Sequence, residues 1–312
     1  MKRSKVQLHA LYALFALVAF CASLAASCSR APLVPIDEVF VPGGSFTVGD
    51  DVYCGRYDSR VGDLHASKYE ITWDVFAEVM NYAIGEKLAF VRDGRVCPTK
   101  GKYPQFATSI VDLAVCRDRL ELRDGKIAVV GDSSRLPVSM VGWYGAAFFC
   151  NALSLANGRV PCYDWDFWEI VPKANGYRMP TYEEWEYLAR GGAKGGSREY
   201  AGSDDPTAVA WFVGNSGNAP HPVGELLPNE LGLYDMNGNV SEFCSETFRS
   251  IITSKSDVSS PLKTSNRIWR GGSFMSATVP VTYFYQNINN PDYYLPFPDV
   301  GFRVVSGALP SI

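Results

Sequence analysis

Apolar and polar residues first fall into a short alternating block, Val39-Phe40-Val41-Pro42-Gly43-Gly44-Ser45-Phe46-Thr47-Val48-Gly49, which reads as strand, tight turn and strand. The period then lengthens. From Glu70 to Ala83 the apolar positions Ile71, Val75, Val79 and Tyr82 recur every three or four residues, which predicts an amphipathic helix stopped at Gly85. Between Phe106 and Val130 the pattern returns to short strands around Arg123-Asp124-Gly125-Lys126, with Asp-Gly in the place a tight hairpin needs. Gly142 to Leu155 predicts a second helix, rich in Trp143, Phe148 and Phe149 and ended by Asn157-Gly158. The sharpest local signal lies between Arg178 and Gly192. There Thr181 is placed to cap a helix while Glu184 reaches back to the cap amide, and Arg190 and Gly191 close the far end. Beyond Arg198 the chain is rich in Gly, Asn, Asp, Ser and Pro, which predicts long irregular loops; such loops persist when a binding role or a metal fixes them. Hydrophobic punctuation continues from residue 39 to residue 305, so one domain over 39–312 is expected.

The N-terminal pattern differs in kind. Lys2, Arg3 and Lys5 precede the apolar run Ala10 to Phe20, and small residues follow from Ala22 to Ser27, the three parts of a secretory signal over 1–27. The uncharged stretch Val6 to Ser27 is also long enough to span a bilayer as an uncleaved anchor, although its short apolar core favours the signal. Cys28 follows Leu24-Ala25-Ala26-Ser27, which resembles a loose bacterial lipobox, so lipid on Cys28 and a linker over 28–38 are expected. The expected location is therefore outside the cytoplasm, as a lipoprotein of the outer membrane or cell surface, held to the membrane through Cys28.

Composition narrows the function classes. The chain has 29 Lys and Arg against 33 Asp and Glu, a formal charge of −4, so no cationic surface for nucleic acid is expected. Hydrophobic residues make up 47% of the 312, enough to build a core. With only His9, His65 and His221 present, imidazole chemistry has little to work with, and His221 between Pro220 and Pro222 shows no nucleophile motif beside it. Eight cysteines include Cys21 and Cys28; the other six show no Cys-x-x-Cys spacing, which speaks against zinc ribbons and thioredoxin-like redox sites. They are read as buried thiols or as bridges, with Cys150 and Cys162 the pair most suited to bridging. Glu183, Glu184 and Glu186 are assigned to helix capping and pairing rather than to acid and base catalysis. Trp185, Trp211 and Trp269 are assigned to the core.

Six blocks, taken in order, resemble the formylglycine-generating enzyme (sulfatase-modifying factor) family. They are Val41 to Phe46, Pro137-Val138 through Ala146, Arg178 through Arg190, Asn229 through Val240, Arg270-Gly271-Gly272-Ser273-Phe274 and Gly301-Phe302-Arg303-Val304. The resemblance implies an α+β fold of the C-type lectin type, loop-rich with few regular strands. In the oxidases of that family two cysteines after the Arg-Gly-Gly-Ser block bind copper. Here Ser276 and Val281 stand at those places and no cysteine follows Cys244, so no copper and no oxidase activity are expected. The family's calcium loop maps onto Asp235, Gly238, Val240 and Glu242, which implies a structural calcium ion there.

The stretch that replaces the oxidase cysteines has a composition of its own. From Phe274 to Phe302, eight of 29 residues are aromatic, accompanied by Asn287, Asn289 and Asn290 and by no Lys or Arg. Rigid aromatic rings and adaptable amides are what binding loops use to gain contact area at low entropic cost. Phe274 and Phe302 are assigned to the core, and Pro280, Pro291, Pro296 and Pro298 oppose a long strand, so a displayed loop surface is expected. The stretch also resembles the variable region, about 270–305, of lectin-fold proteins diversified by retroelements. That resemblance implies variable, ligand-binding positions at Ser276, Ala277, Val279, Tyr283, Phe284, Asn287, Asn289, Asn290, Tyr293, Tyr294, Leu295 and Phe297. It implies a non-catalytic binding protein, expected to be a monomer, whose ligand is a protein or another macromolecule; the alternative is a catalytically active or purely structural member of the sulfatase-modifying factor superfamily.

Overall fold

The computed structural model describes residues 34–49, 56–100, 109–196, 198–247, 267–277, 279, 284–286 and 297–307. Four antiparallel strands make one sheet: β1 (Glu38–Val41), β4 (Leu64–Ser67), β17 (Val305–Ser306) and β10 (Tyr177–Arg178), in that order. Among the described residues the last strand thus sits inside the sheet that the first strand begins. β2 (Gly44–Val48) pairs with β3 (Tyr57–Val61), not with β1. The strand-turn-strand expected at 39–49 is therefore two strands in two sheets, because β1 takes β4 as its partner, with Val41 opposite Leu64.

Helix α1 (Trp73–Gly85) lies where the periodicity placed it and buries Trp73, Phe76, Val79 and Met80. Helix α2 (Trp143–Ala156) is buried along most of its length, ends at Asn157, and is followed by Gly158 at φ 67°. The two helices meet through stacked rings, Phe76 on Phe149 at 5.6 Å with planes 3° apart, and Phe302 closes on Phe149 at 5.2 Å. Aromatic pairs of this kind contribute about 0.5–1.5 kcal/mol beyond their buried area.

Between the helices lie two small sheets, β5 (Ala89–Arg92) with β6 (Arg95–Pro98) and β7 (Val111–Asp112), and β8 (Leu120–Arg123) with β9 (Lys126–Val129). The β8–β9 turn has Asp124 at φ 51° and Gly125 at φ 76°, the two left-handed residues that a two-residue hairpin of this type requires.

Helix α3 (Tyr182–Ala189) starts with the capping box expected at Thr181 and Glu184. Glu184 also receives two hydrogen bonds from the buried Arg178 guanidinium, at 2.5 and 2.8 Å. Glu183 accepts from the Tyr57 hydroxyl at 2.9 Å, and Glu186 faces Arg190 and Arg270 at 2.7 and 2.8 Å. All three carboxylates are thus structural. The short helix α4 (Pro206–Val209) leads into β11 (Ala210–Trp211), which runs parallel to β12 (Asn237–Gly238). The last sheet has the order β15 (Phe284–Gln286), β14 (Arg267–Arg270), β13 (Ser241–Thr247) and β16 (Val300–Gly301).

Cys97, Cys116, Cys150 and Cys162 are free and buried and Cys244 is buried, so the expected bridge between Cys150 and Cys162 is not formed. Each behaves as a small apolar filler of the core. Among the described residues no helix is long and apolar enough to cross a membrane.

Candidate functional site

The C-terminal stretch leaves the fold through a rigid turn. At its base the Arg270 guanidinium is fully buried, donates to Glu186 at 2.8 Å and lies 4.1 Å from the Tyr182 ring centroid. Gly271 and Gly272 follow at φ 91° and 67°. Both are glycine for two reasons: the left-handed backbone disfavours a side chain, and a Cβ on Gly272 would approach Val279 Cγ1 to 2.7 Å. Ser273 and Phe274 are buried, whereas Met275 and Ala277 are exposed and Ser276 is half-buried between them. The turn folds on itself: Ser276 Oγ accepts from the Ser273 amide at 2.9 Å, and the Ser276 amide donates to the Ser273 carbonyl at 2.9 Å.

The stretch returns at Phe297 to Val300. Phe297 packs its ring against Trp269 at 5.2 Å, and its carbonyl accepts from the Met140 amide at 3.0 Å. Asp299 then receives a hydrogen bond from Ser273 Oγ at 2.7 Å, so a side chain at the exit holds a side chain at the return. Midway, β15 pairs antiparallel with β14, with Phe284 opposite Arg270 and Tyr285 opposite Trp269. The expected loop surface therefore contains a short edge strand, which three residues can form without meeting any of the prolines.

These contacts sort the expected variable positions. Ser276 and Ala277 lie together on the turn, Phe284 is on the edge strand, and Phe297 is half-buried at the return. Val279 is a correction: it is fully buried, it packs over Gly272, and its carbonyl accepts from Asn237 Nδ2 at 2.6 Å. It belongs to the frame rather than the surface. Tyr283, Asn287, Asn289, Asn290, Tyr293, Tyr294 and Leu295 lie outside the described residues, as do Cys28 and Val281.

The loop expected to hold calcium is organised by an arginine. Arg303 donates from Nε to Glu242 Oε2 and from Nη2 to Glu242 Oε1, both at 2.7 Å, and Trp185 Nε1 donates to Oε2 at 2.7 Å. Both Glu242 oxygens are thus taken by donors from Arg303 and Trp185, and Glu242 does not fit the role of a calcium ligand. Asp235 accepts from the Gly224 amide through Oδ2 at 2.7 Å, while its buried Oδ1 has no partner. Gly238 and Val240 give their amides to the Gly271 carbonyl and to Glu70 Oε1. Burial, with some repulsion from Glu242, pushes the Asp235 carboxyl up to about 6, against the pull of the Gly224 amide and Arg303. Glu70 is raised well above the usual carboxylate range, first by burial and then by Asp235 and Glu242. Three buried carboxylates around one guanidinium explain both directions. Among the described residues no group of three or more His, Cys, Asp or Glu side chains is arranged to hold a metal ion.

Sequence reasoning missed the neighbours that flank the turn. The Val213 amide donates to the Ser276 carbonyl at 3.1 Å, which brings Trp211, Phe212 and Val213 beside it. Trp211 is half-buried rather than core, and it stacks on His221 at 3.7 Å with planes 8° apart. His221 is fixed through Nε2, 2.9 Å from the Ser216 carbonyl, and Ser216 Oγ donates to the Phe274 carbonyl at 2.8 Å. On the other side Arg267 lies over the Trp143 ring at 3.3 Å from its centroid. The proline-flanked histidine was the one visible sign of a fixed loop there.

Comparison with known proteins agrees with this geometry. The family model for the sulfatase-modifying factor enzyme 1-like domain matches residues 26–308. The chain is 30% identical over 265 residues to the chaperone protein LppX of Paenibacillus barcinonensis, covering 72% of this chain and 91% of that protein. It is 37% identical over 117 residues to the formylglycine-generating enzyme of Streptomyces coelicolor, covering 32% of this chain and 37% of the enzyme. Among solved structures, Treponema denticola variable protein 1 aligns with a TM-score of 0.61 at 23% identity, covering 86% of this chain and 94% of that one, a likeness of fold.

Proposed function

We propose, for a chain that belongs to the sulfatase-modifying factor enzyme 1-like family, a non-catalytic role: an exported, lipid-anchored binding protein that presents residues 276–297 to macromolecular ligands. The observation that carries this reading is the clamp between Ser273 and Asp299, which closes the two ends of that stretch with a 2.7 Å hydrogen bond on a buried base. A fixed frame lowers the entropic cost of binding, and the aromatic and amide residues between its ends supply contact area and adaptable hydrogen bonds. On the family resemblance the two oxidase thiols would fall at Ser276 and Val281, which supply no thiolate for a copper site or a mixed disulfide, and this supports the non-catalytic reading. Anchoring falls to lipid on Cys28 after removal of residues 1–27. Diversity at the surface falls to a retroelement acting on codons between 276 and 297, with the buried Val279 outside the displayed set.

The test is sequencing of the gene's 3′ end and flank in clonal relatives. The expected result is substitution concentrated at Ser276, Ala277, Tyr283, Phe284, Asn287, Asn289, Asn290, Tyr293, Tyr294, Leu295 and Phe297, beside a near-identical template repeat and a reverse transcriptase gene. Identical residues at all of these positions, with no such gene nearby, would refute the reading.

A further inference from the structure

A groove of about 460 Å³ opens on the two small sheets that follow α1 in the chain, and its lining shares no residue with the expected C-terminal surface. Its walls come from three fixed pieces. Helix α1 ends and the chain turns sharply: the Lys87 amide donates to the Ile84 carbonyl at 3.1 Å and the Leu88 amide to the Ala83 carbonyl at 2.8 Å. The Thr99 amide ties the end of the β5–β6 hairpin to the Leu88 carbonyl at 2.8 Å. Asn81 binds both the amide and the carbonyl of Ile127 at 2.8 Å, which fixes the β8–β9 hairpin to α1.

Among the described residues the lining is almost wholly apolar, with Ile84, Phe90, Val91 and Leu122 forming the wall and Lys87 the charged side chain in it. Phe90 is 39% exposed and Leu122 48%, so two large apolar side chains face solvent in one concavity. Its volume falls within the roughly 300–1,000 Å³ of ordinary small-molecule sites. The charge of the sequence segment that supplies most of its lining is also distinct. Between Glu86 and Lys126 there are nine Lys and Arg against six Asp and Glu, in a chain that carries 29 against 33 overall. An apolar trough with a cation at its edge, in a basic part of an acidic protein, complements a ligand with an alkyl chain and an anionic head.

We infer that this groove binds a monomeric long-chain carboxylate, its alkyl chain against Ile84, Phe90, Val91 and Leu122 and its head at Lys87 and the Thr99 hydroxyl. Chain burial supplies the affinity, and Lys87 chooses the sign of the head group. This site is independent of the proposed C-terminal binding surface and would stand if that surface failed its test.

The experiment is calorimetric titration of the full mature chain with dodecanoate below its micelle concentration, and with dodecyltrimethylammonium as the cation of equal chain length. One saturable site for dodecanoate is expected, with the cation binding at least roughly tenfold more weakly. Lys87→Glu should remove that preference, and Leu122→Asp should abolish binding without altering the circular dichroism spectrum. A photoreactive dodecanoate analogue on the unaltered protein guards against a variant that does not fold, and its crosslinks should fall within 84–99 and 120–126. No saturable binding, equal binding of both amphiphiles, or crosslinks elsewhere would overturn the inference. So would a ligand-free dimer of the unaltered protein that Leu122→Asp dissolves, because the groove would then belong to a second copy.

Discussion

Ser273 donates its hydroxyl proton to Asp299 across 2.7 Å, although the two residues are 26 positions apart and bracket the whole aromatic stretch. Ser273 is fully buried, so losing the hydroxyl leaves the carboxylate of Asp299 without that donor. Ser273→Ala should destabilise the protein by about 1–3 kcal/mol. It should also speed proteolysis between 277 and 297 in the folded state, because the clamp sets how far that stretch can open. Urea denaturation and limited proteolysis read the two effects separately. A stability loss without faster cleavage would show that the bond supports the core but not the display.

Glu242 and Arg303 form a closed pair, at most 1% exposed on either side, that also serves Trp185, Ser67 and Tyr234. Breaking such a pair by removing one partner costs about 3–5 kcal/mol, because the other charge stays buried. Arg303→Met should cost more than Glu242→Met, since Glu70 and Asp235 also lie near the guanidinium and would lose its charge. The double replacement should cost less than the sum of the single ones. Equal costs for the two single variants in chemical denaturation would contradict this account of the cluster.

Val279 and Ala277 are two residues apart and should behave oppositely. Val279→Asp places a charge where the side chain is fully buried over Gly272, and should cost roughly 3 kcal/mol or more. Ala277→Asp, on the exposed turn, should stay within about 0.5 kcal/mol of the parent. Thermal unfolding of the two variants decides it. If Val279→Asp melts like the parent, residue 279 returns to the displayed set.

What the sequence made legible was local. Thr181 and Glu184 are three residues apart, and the cap they form needs nothing else; Asp124-Gly125 likewise carries its own turn. Helix α1 followed from spacing, whereas the short helix α4 lies where the sequence read as irregular loop. Three of the misreadings turn on distant partners. Pro42-Gly43 looks like a hairpin turn, yet a Cβ on Gly43 would meet the Val61 carbonyl oxygen at 2.5 Å, so its smallness serves packing against another strand. Val279 sits among polar and aromatic residues, and only Asn237 and Gly272 reveal that it is core. Glu242 looked like a calcium ligand until Arg303, 61 residues on, claimed both of its oxygens.

The buried thiols give the last prediction. Burial pushes Cys116 up to about 12, with Asp112 adding to it, and it raises Cys150 and Cys162 as well. Because the thiolate is the reactive form, these three should resist alkylation near pH 8, where a free thiol of pKa about 8.5 is partly ionised. Iodoacetamide on the folded protein should leave the peptides bearing Cys116, Cys150 and Cys162 unmodified, while the same reagent in guanidinium chloride labels all three. Peptide mass spectrometry gives the answer residue by residue. Labelling of the folded protein at the unfolded rate would mean that this part of the core opens readily. A linked Cys150–Cys162 peptide from exported protein would mean that the two sulfurs come within bonding distance and that oxidation, rather than free thiol packing, joins α2 to the segment beyond it.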